Sequence, residues 1–165
     1  MKRFLTLLGL MAAITAPALA QNAGEIGRVQ SGASCSGCNL FQADLAYRDL
    51  PNVNLSGSRL RQADMSLVTM NGANLSRADL SVANMFGGRF TGASFAGANL
   101  SNANLVGAHF GSANLSGAVL SGAVLSGAEL REARGLTQSQ LNSACGDPST
   151  QLPAGLRIPA CRSTR

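Results

Sequence analysis

Every fifth residue from position 40 to position 130 is Leu, Met or Phe, and this series holds at all nineteen positions. Two residues before each of them, Ala fills thirteen of the nineteen places, and Asn or Asp is frequent between the two, which gives the consensus A-(N/D)-L-S-G. A period of five suits neither regular element. At about 100° per residue an α-helix would spread the apolar side chains around its girth, and a continuous strand would alternate them between two faces. The pattern predicts a chain that turns by the same angle every five residues.

In such a chain the Ala and the large apolar residue, two apart on a short extended side, both point inward. The Ser-Gly or Ser-Arg pairs then form the corners, where Gly accepts turn backbone angles at little steric cost. Period five alone leaves open whether three or four sides close one coil. The predicted core includes Leu40, Leu45, Leu60, Leu80, Phe90, Phe95, Leu100, Leu105, Phe110, Leu115, Leu120, Leu125 and Leu130.

Segments such as 98–105, Ala-Asn-Leu-Ser-Asn-Ala-Asn-Leu, closely resemble the motif of the pentapeptide-repeat family, and the resemblance covers residues 38–132. It implies that four repeats close one square coil, that the hand is right and that the coils stack as parallel strands. The expected fold is therefore an all-β, right-handed quadrilateral parallel β-helix of about five coils. Departures from the consensus gather near the start, where Arg48 and Ser58 occupy inward places, so we expect the first coils to be less regular.

The N-terminus has the pattern of a secretory signal: Lys2 and Arg3, an apolar run over 4–14, and the small-x-small cleavage site Ala18-Leu19-Ala20. The apolar run is shorter than the roughly 20 residues that span a bilayer. We therefore expect cleavage after residue 20 and a soluble exported protein, periplasmic or secreted, without membrane insertion.

The segments on either side of the repeat are predicted to cover its open ends. Residues 21–37 form the N-terminal cap segment, and residues 133–165 form a C-terminal cap. Thr137 and Gln140 make a T-x-x-Q capping box, which predicts a helix over 138–145 with Gly146 as its stop. A loop tied down by Cys161 follows.

Four cysteines in an exported chain favour disulfides over metal ligation or free thiols. Cys35 and Cys38 lie together before the first regular repeat, and Cys145 and Cys161 lie a full rod length away, so proximity pairs 35 with 38 and 145 with 161. The alternative interpretation of Cys35-Ser36-Gly37-Cys38 is a thiol-disulfide redox pair. Two cysteines are too few for a closed zinc site.

A twenty-residue offset places outward side chains in columns about one strand spacing apart. On the face of Leu45, Leu105 and Leu125 the outward residues include an apolar set: Tyr47, Leu67, Phe86, Val106 and Val124. Contiguous exposed apolar surface often marks an interface, so these residues are the candidate contact surface. The alternative is that these apolar residues reflect local drift from the consensus and are covered by residues 21–34 or by the C-terminal tail.

Another column holds Asp49, Thr69, Arg89, His109 and Glu129, which we interpret as a solvated charge ladder because a flat wall offers neither nucleophile nor pocket. The sequence shows no catalytic constellation, cofactor motif or metal site, and it predicts a non-catalytic scaffold or protein-binding module. The expected partner is an envelope or extracellular protein, or a second copy bound through the apolar set.

Charge separates the remaining possibilities. Some members of the family resemble DNA in shape and charge and protect topoisomerases, which requires a strongly acidic cytoplasmic rod. Removing Lys2 and Arg3 leaves 11 basic against 8 acidic residues, a formal charge of +3, so we expect no nucleic-acid role. Five arginines in the last 35 residues offer another alternative, attachment to anionic envelope components. They are Arg131, Arg134, Arg157, Arg162 and Arg165.

Overall fold

The backbone of this computed structural model forms a rod whose neighbouring coils pair in parallel at an offset of twenty residues, that is, four pentapeptides. The structure describes residues 21–162, so the predicted signal at 1–20 lies outside the described part. Pairing is confined to one bridged residue in each pentapeptide. We name the four sides by their bridged residues. Wall A has Asn39, Arg59, Asp79, Asn99 and Val119; wall B has Asp44, Asp64, Asn84, Asn104 and Val124; wall C has Asp49, Thr69, Arg89, His109 and Glu129; wall D has Asn54, Asn74, Ser94, Asn114 and Arg134.

Each pentapeptide has the same five places, which the segment 98–102 illustrates. Ala98 is the inner residue, Asn99 the bridged residue, Leu100 the central residue, and Ser101 and Asn102 the first and second corner residues. The central amide donates to the following coil, and the next inner amide closes the corner, as Ala103 N does to Leu100 O at 3.0 Å. At every corner from 37 to 127 the second corner residue has a left-handed φ. That φ explains why Gly is so frequent there.

The central residues fill the interior of the rod. Every predicted core residue is at most 2% exposed, and the inner alanines from 43 to 128 are buried with them. Phe90, Phe95 and Phe110 form one aromatic group with ring centroids 5.4 to 5.5 Å apart. Gly88 replaces the usual inner Ala beside this group, because a Cβ at position 88 would lie 2.6 Å from Cε2 of Phe90.

The two polar residues at inward places behave differently. Ser58 is buried, and its hydroxyl donates to Cys35 O at 2.8 Å and accepts from Cys38 N at 3.1 Å. It thereby bridges the corner that a direct backbone hydrogen bond closes elsewhere. Arg48 is exposed, which corrects its expected inward placement. A guanidinium left unpaired in the apolar interior would carry a large desolvation cost.

The regular coil begins at Cys35, whose amide donates to Asn54 O at 2.8 Å, and so starts three residues before the predicted boundary at 38. Ahead of it lies α1, Ala23–Gln30, a helix that the sequence analysis missed. Asn22 caps it by accepting from Glu25 N. Glu25 Oε2 in turn accepts from Asn39 N, a backbone group at the open edge of the first coil.

Helix α1 also covers the apolar mouth of the rod. Val29 is fully buried against the core and Ile26 packs beside it. Gln30 donates to Asp44 O at 2.7 Å, which satisfies another backbone group at the first coil's edge. The N-terminal end is therefore closed in both its apolar and its polar parts.

At the other end, α2 spans Gln138–Leu141 with the capping box of Thr137 and Gln140 in place. It is four residues shorter than the predicted 138–145. The chain leaves the helix because Ser143 O accepts from Gly122 N and Cys145 pairs with Val124 on wall B.

Gly146 is not the helix stop that the sequence suggested. Its amide donates to Pro159 O at 2.9 Å, and a Cβ there would lie 2.7 Å from Thr150 Oγ1 and 3.1 Å from Ile158 Cγ2. This glycine is required for the close approach of the tail, which a disulfide between Cys145 and Cys161 holds in place. Within residues 21–162 no helix is long and apolar enough to cross a membrane.

Candidate protein-binding surface

The largest exposed apolar side chains gather on wall B and the corner that follows it. Tyr47 is 76% exposed, Leu67 45% and Phe86 46%. Val106 and Val124, which the sequence placed in the same set, are half-buried and contribute less surface than expected. We call these five residues the apolar strip.

The strip occupies adjacent columns rather than a single one. Tyr47 and Leu67 are second corner residues of successive coils, whereas Phe86 and Val106 are first corner residues of the next two. The Leu67 side chain reaches over the following coil, because a Cβ at Gly87 would lie 2.7 Å from its Cδ2 atom. Leu67 thus brings apolar surface onto the third coil, which also carries Phe86.

The two end segments leave the strip uncovered among the described residues. Helix α1 packs over the mouth of the rod, and the tail after α2 packs over the opposite end. Two other large apolar residues are comparably exposed, Val82 and Val119, and both lie on wall A or its corner. They lack the aromatic neighbours of the strip.

Wall B also differs from the other walls in charge. Its pentapeptides, which cover 43–47, 63–67, 83–87, 103–107 and 123–127, contain two carboxylates and no cationic side chain. The carboxylates, Asp44 and Asp64, are exposed on successive coils. Asp64 Oδ1 accepts from Asn84 Nδ2 at 3.1 Å, and Asn104 Nδ2 continues the ladder to Asn84. The strip is therefore bordered by acidic and amide groups.

Wall C carries the predicted charge ladder. The column from Asp49 to Glu129 is paired through its backbone, and His109 Nδ1 lies 2.8 Å from Glu129 Oε2 on the next coil. Neither side chain is enclosed, and both are about half exposed. Residues 21–162 contain no cluster of three His, Cys, Asp or Glu side chains placed to hold a metal ion.

The Cys35–Cys38 disulfide spans the first corner of the coil. Cys35 takes a central place and Cys38 an inner place, so both side chains face the interior and are at most 9% exposed. The Ser58 hydroxyl packs against the same corner. This burial suits a structural crosslink better than a redox pair, whose reactive sulfur must be accessible.

The C-terminal arginines that the structure describes are spread over different parts of the surface. Arg131 lines a shallow notch on wall C together with Glu129 and Glu132, whereas Arg134 lies on wall D. Arg157 lies beyond both, where its backbone pairs with the Gln138 side chain. Arg162 ends the described tail, and Arg165 lies outside the described residues.

The loop after Cys145 is fixed by one exposed carboxylate that the sequence analysis did not single out. Asp147 Oδ1 accepts from the Ser149 hydroxyl, from Ser149 N at 2.9 Å and from Gly127 N at 3.2 Å. The Ser149 hydroxyl is the main reason that the pKa of Asp147 lies below its ordinary value of 3.8. The sequence Asp147-Pro-Ser149 is typical of such a side-chain-closed turn and could have revealed it.

Parallel pairing at an offset of four pentapeptides, left-handed corners and an interior of Ala and Leu define a quadrilateral β-helix of the repeat-protein class. The family model for pentapeptide repeats matches eight copies in the chain, over 33–72, 49–85, 73–111 and 103–144. The chain belongs to the pentapeptide-repeat family, whose members form right-handed quadrilateral β-helices. No curated protein sequence matches this one.

Among solved structures the chain is similar to HetL, a pentapeptide repeat protein involved in heterocyst differentiation regulation in the cyanobacterium Nostoc sp. strain PCC 7120. The identity is 41% over 62% of this chain and 48% of HetL, with a TM-score of 0.58. The chain thus spans about half the length of that protein. It is also similar to Rfr23 from the cyanobacterium Cyanothece 51142, at 29% identity over 78% of this chain and 97% of Rfr23, with a TM-score of 0.45.

Proposed function

We propose that this chain is a non-catalytic scaffold that is exported and binds another protein through the apolar strip. One observation carries the proposal: the three most prominent strip residues, Tyr47, Leu67 and Phe86, remain exposed side by side after both ends of the rod have been covered. Aromatic side chains bring large contact area at low conformational cost and are enriched at binding hot spots. The rest of wall B is regular backbone with short polar side chains, a rigid support for such a contact.

Export is the part of this proposal that rests on the sequence, through the signal pattern at 1–20 and the disulfide-paired cysteines. It places the partner in the cell envelope or outside the cell. HetL is described as involved in the regulation of heterocyst differentiation, and a regulatory contact through a rod wall suits a non-catalytic scaffold.

The test is affinity capture from a cell-envelope extract. Wild-type protein is compared with a Tyr47→Ser, Phe86→Ser double variant, and retained proteins are identified by mass spectrometry. The control is Val82→Ser with Val119→Ser, which removes apolar side chains that are 44% and 45% exposed on wall A. We expect wild type and the control to retain the same protein and the strip variant to lose it. Equal retention by all three would show that the strip is not the binding surface.

A further inference from the structure

We propose that the partner of the apolar strip is a second copy of this chain, bound antiparallel with Phe86 at the two-fold axis. This inference rests on the proposed function, because it names the partner of the same surface. It comes from the distribution of large and small residues along the edge of wall B, which is complementary to its own reverse.

The second corner residues of wall B are large in the first two coils and glycine in the last three, of which Gly107 alone has no atom close to its Cβ position. In order along the rod they are Tyr47, Leu67, Gly87, Gly107 and Gly127. A two-fold axis that lies along the strand direction of the middle coil reverses the order of coils and keeps each column opposite itself. Such an axis sets Leu67 against Gly107 of the second copy. It sets Tyr47 against the corner at Gly127, which Asp147 and Ser149 of the tail adjoin. A Cβ at position 107 would meet no atom within 4 Å, so open space is available for the leucine.

The neighbouring column agrees with the same axis. Its middle member is Phe86, which therefore meets the Phe86 of the second copy, and aromatic pairs of this kind add to the stability of an interface. Ser66, one coil before, lies opposite Val106, one coil after. Every large side chain in the two columns thus faces an aromatic ring, a small residue or a glycine.

The position of Asp64 favours the antiparallel arrangement over the parallel one. In the antiparallel pair Asp64 lies opposite the polar amide of Asn104, and only Asp44, at the end of the wall, lies opposite an apolar residue, Val124. Rotation about the rod axis would instead set both carboxylates against the apolar corner of the second copy. Burying a carboxylate against apolar side chains without a partner is costly, so the antiparallel pair carries this cost once per copy rather than twice.

The surface is small for a dimer interface. Five coils at about 4.8 Å and a wall about 12 Å wide give roughly 300 Å² per copy, well below the about 800 Å² of a standard partner surface. The expected dimer is therefore weak and depends on protein concentration.

Sedimentation equilibrium of the purified chain over a concentration series up to about 1 mM measures this association. The decisive variant is Gly107→Asn, which fills the open space and leaves all five strip residues intact. Asn accepts the left-handed backbone that position 107 requires. The matched control is Gly92→Asn on wall C, which has the same backbone conformation and equally open surroundings. We expect the dissociation constant of the dimer to rise roughly tenfold for Gly107→Asn and to stay unchanged for Gly92→Asn. The two variants should have the same melting temperature.

Crosslinking fixes the orientation. Ser66→Cys and Val106→Cys proteins, mixed and treated with a short bismaleimide, should give a mixed dimer, whereas Ser66→Cys alone should give little. Ser76→Cys mixed with Ser116→Cys, two coils apart on wall D, is the control and should not crosslink.

A monomer at every concentration, equal association of Gly107→Asn and wild type, or self-crosslinking of Ser66→Cys as strong as that of the mixture would each overturn the inference. If the chain stays monomeric while the Tyr47→Ser, Phe86→Ser variant still loses a captured protein, the proposed function stands and only the second copy is rejected. If capture is also unaffected, both fail.

Discussion

The fit between Gly88 and Phe90 gives the most direct test of how the core is packed. Gly88 takes an inner place that alanine fills in most coils, and its φ is not left-handed, so the glycine is not required by the backbone. A Cβ at 88 would lie 2.6 Å from Cε2 and 2.8 Å from Cζ of Phe90, and 3.3 Å from Met85 O. The ring is therefore the main obstacle to a side chain at position 88, and Met85 O is a lesser one.

Gly88→Ala should therefore overpack the interior and lower the free energy of unfolding by about 1 to 3 kcal/mol. Phe90→Leu removes ring atoms that pack against Phe95 and Phe110, and we expect it to cost about 1 to 2 kcal/mol. In the double variant the shorter leucine no longer reaches the added methyl group. The two changes should then compensate, with a coupling energy of about 1 to 2 kcal/mol.

Urea unfolding followed by circular dichroism measures these values, since the chain has no Trp and a single Tyr and gives little fluorescence signal. Gly111→Ala is the control, because its Cβ would meet only Thr91 at an ordinary 3.6 Å and should change stability little. If the Gly88→Ala and Phe90→Leu effects simply add, the ring does not determine the glycine and the reasoning fails.

Three further predictions concern the corners and the cap. Gly92→Ala should lower the free energy of unfolding by about 1 kcal/mol, because φ is left-handed at this position. Gly27 has equally open surroundings but lies within α1, so Gly27→Ala should raise the free energy of unfolding by about 0.5 to 1 kcal/mol. Urea titrations compare the two variants, and equal effects would contradict the argument. Val82→Asn should stabilise the rod by about 1 kcal/mol, because a β-branched residue at φ 59° is strained and Asn tolerates that conformation; a lower melting temperature would refute this. The lowered pKa of Asp147 means that its ionised form stabilises the folded cap, a contribution complete above the ordinary pKa of 3.8 and lost as pH falls through the lowered value. In wild type the protection of the Gly127 amide from hydrogen exchange should therefore fall in the same acidic pH range. In Asp147→Asn this fall should be absent.

The repeat could be predicted from the sequence because each pentapeptide meets the same surroundings, so local pattern and tertiary packing agree. What the sequence left unpredicted lies where that repetition ends. Arg48 was expected inside but is exposed in the first coil, close to the open end. Helix 138–145 was too long because contacts with Gly122 and Val124 draw the chain back to the rod.

Helix α1 was missed although Asn22 and Glu25 have the spacing of a capping box, a signal that was present in the sequence. The columns of the apolar strip follow from the twenty-residue offset, which the family resemblance implied. The exposure of the strip was overestimated at Val106 and Val124, because the offset gives the column of a side chain but not how far its neighbours cover it.

The positions of the two disulfides bear on how this protein resists unfolding. In a stacked array each coil contacts only its neighbours, so the terminal coils open first and loss of structure proceeds inward. The crosslinked loops are short, with sequence separations of 3 and 16, so they restrict the unfolded chain far less than a bond between the two ends would. Each bond instead holds the terminal segment at which fraying begins. Their main effect should be on the rate at which the ends open, and thus on survival among proteases rather than on equilibrium stability.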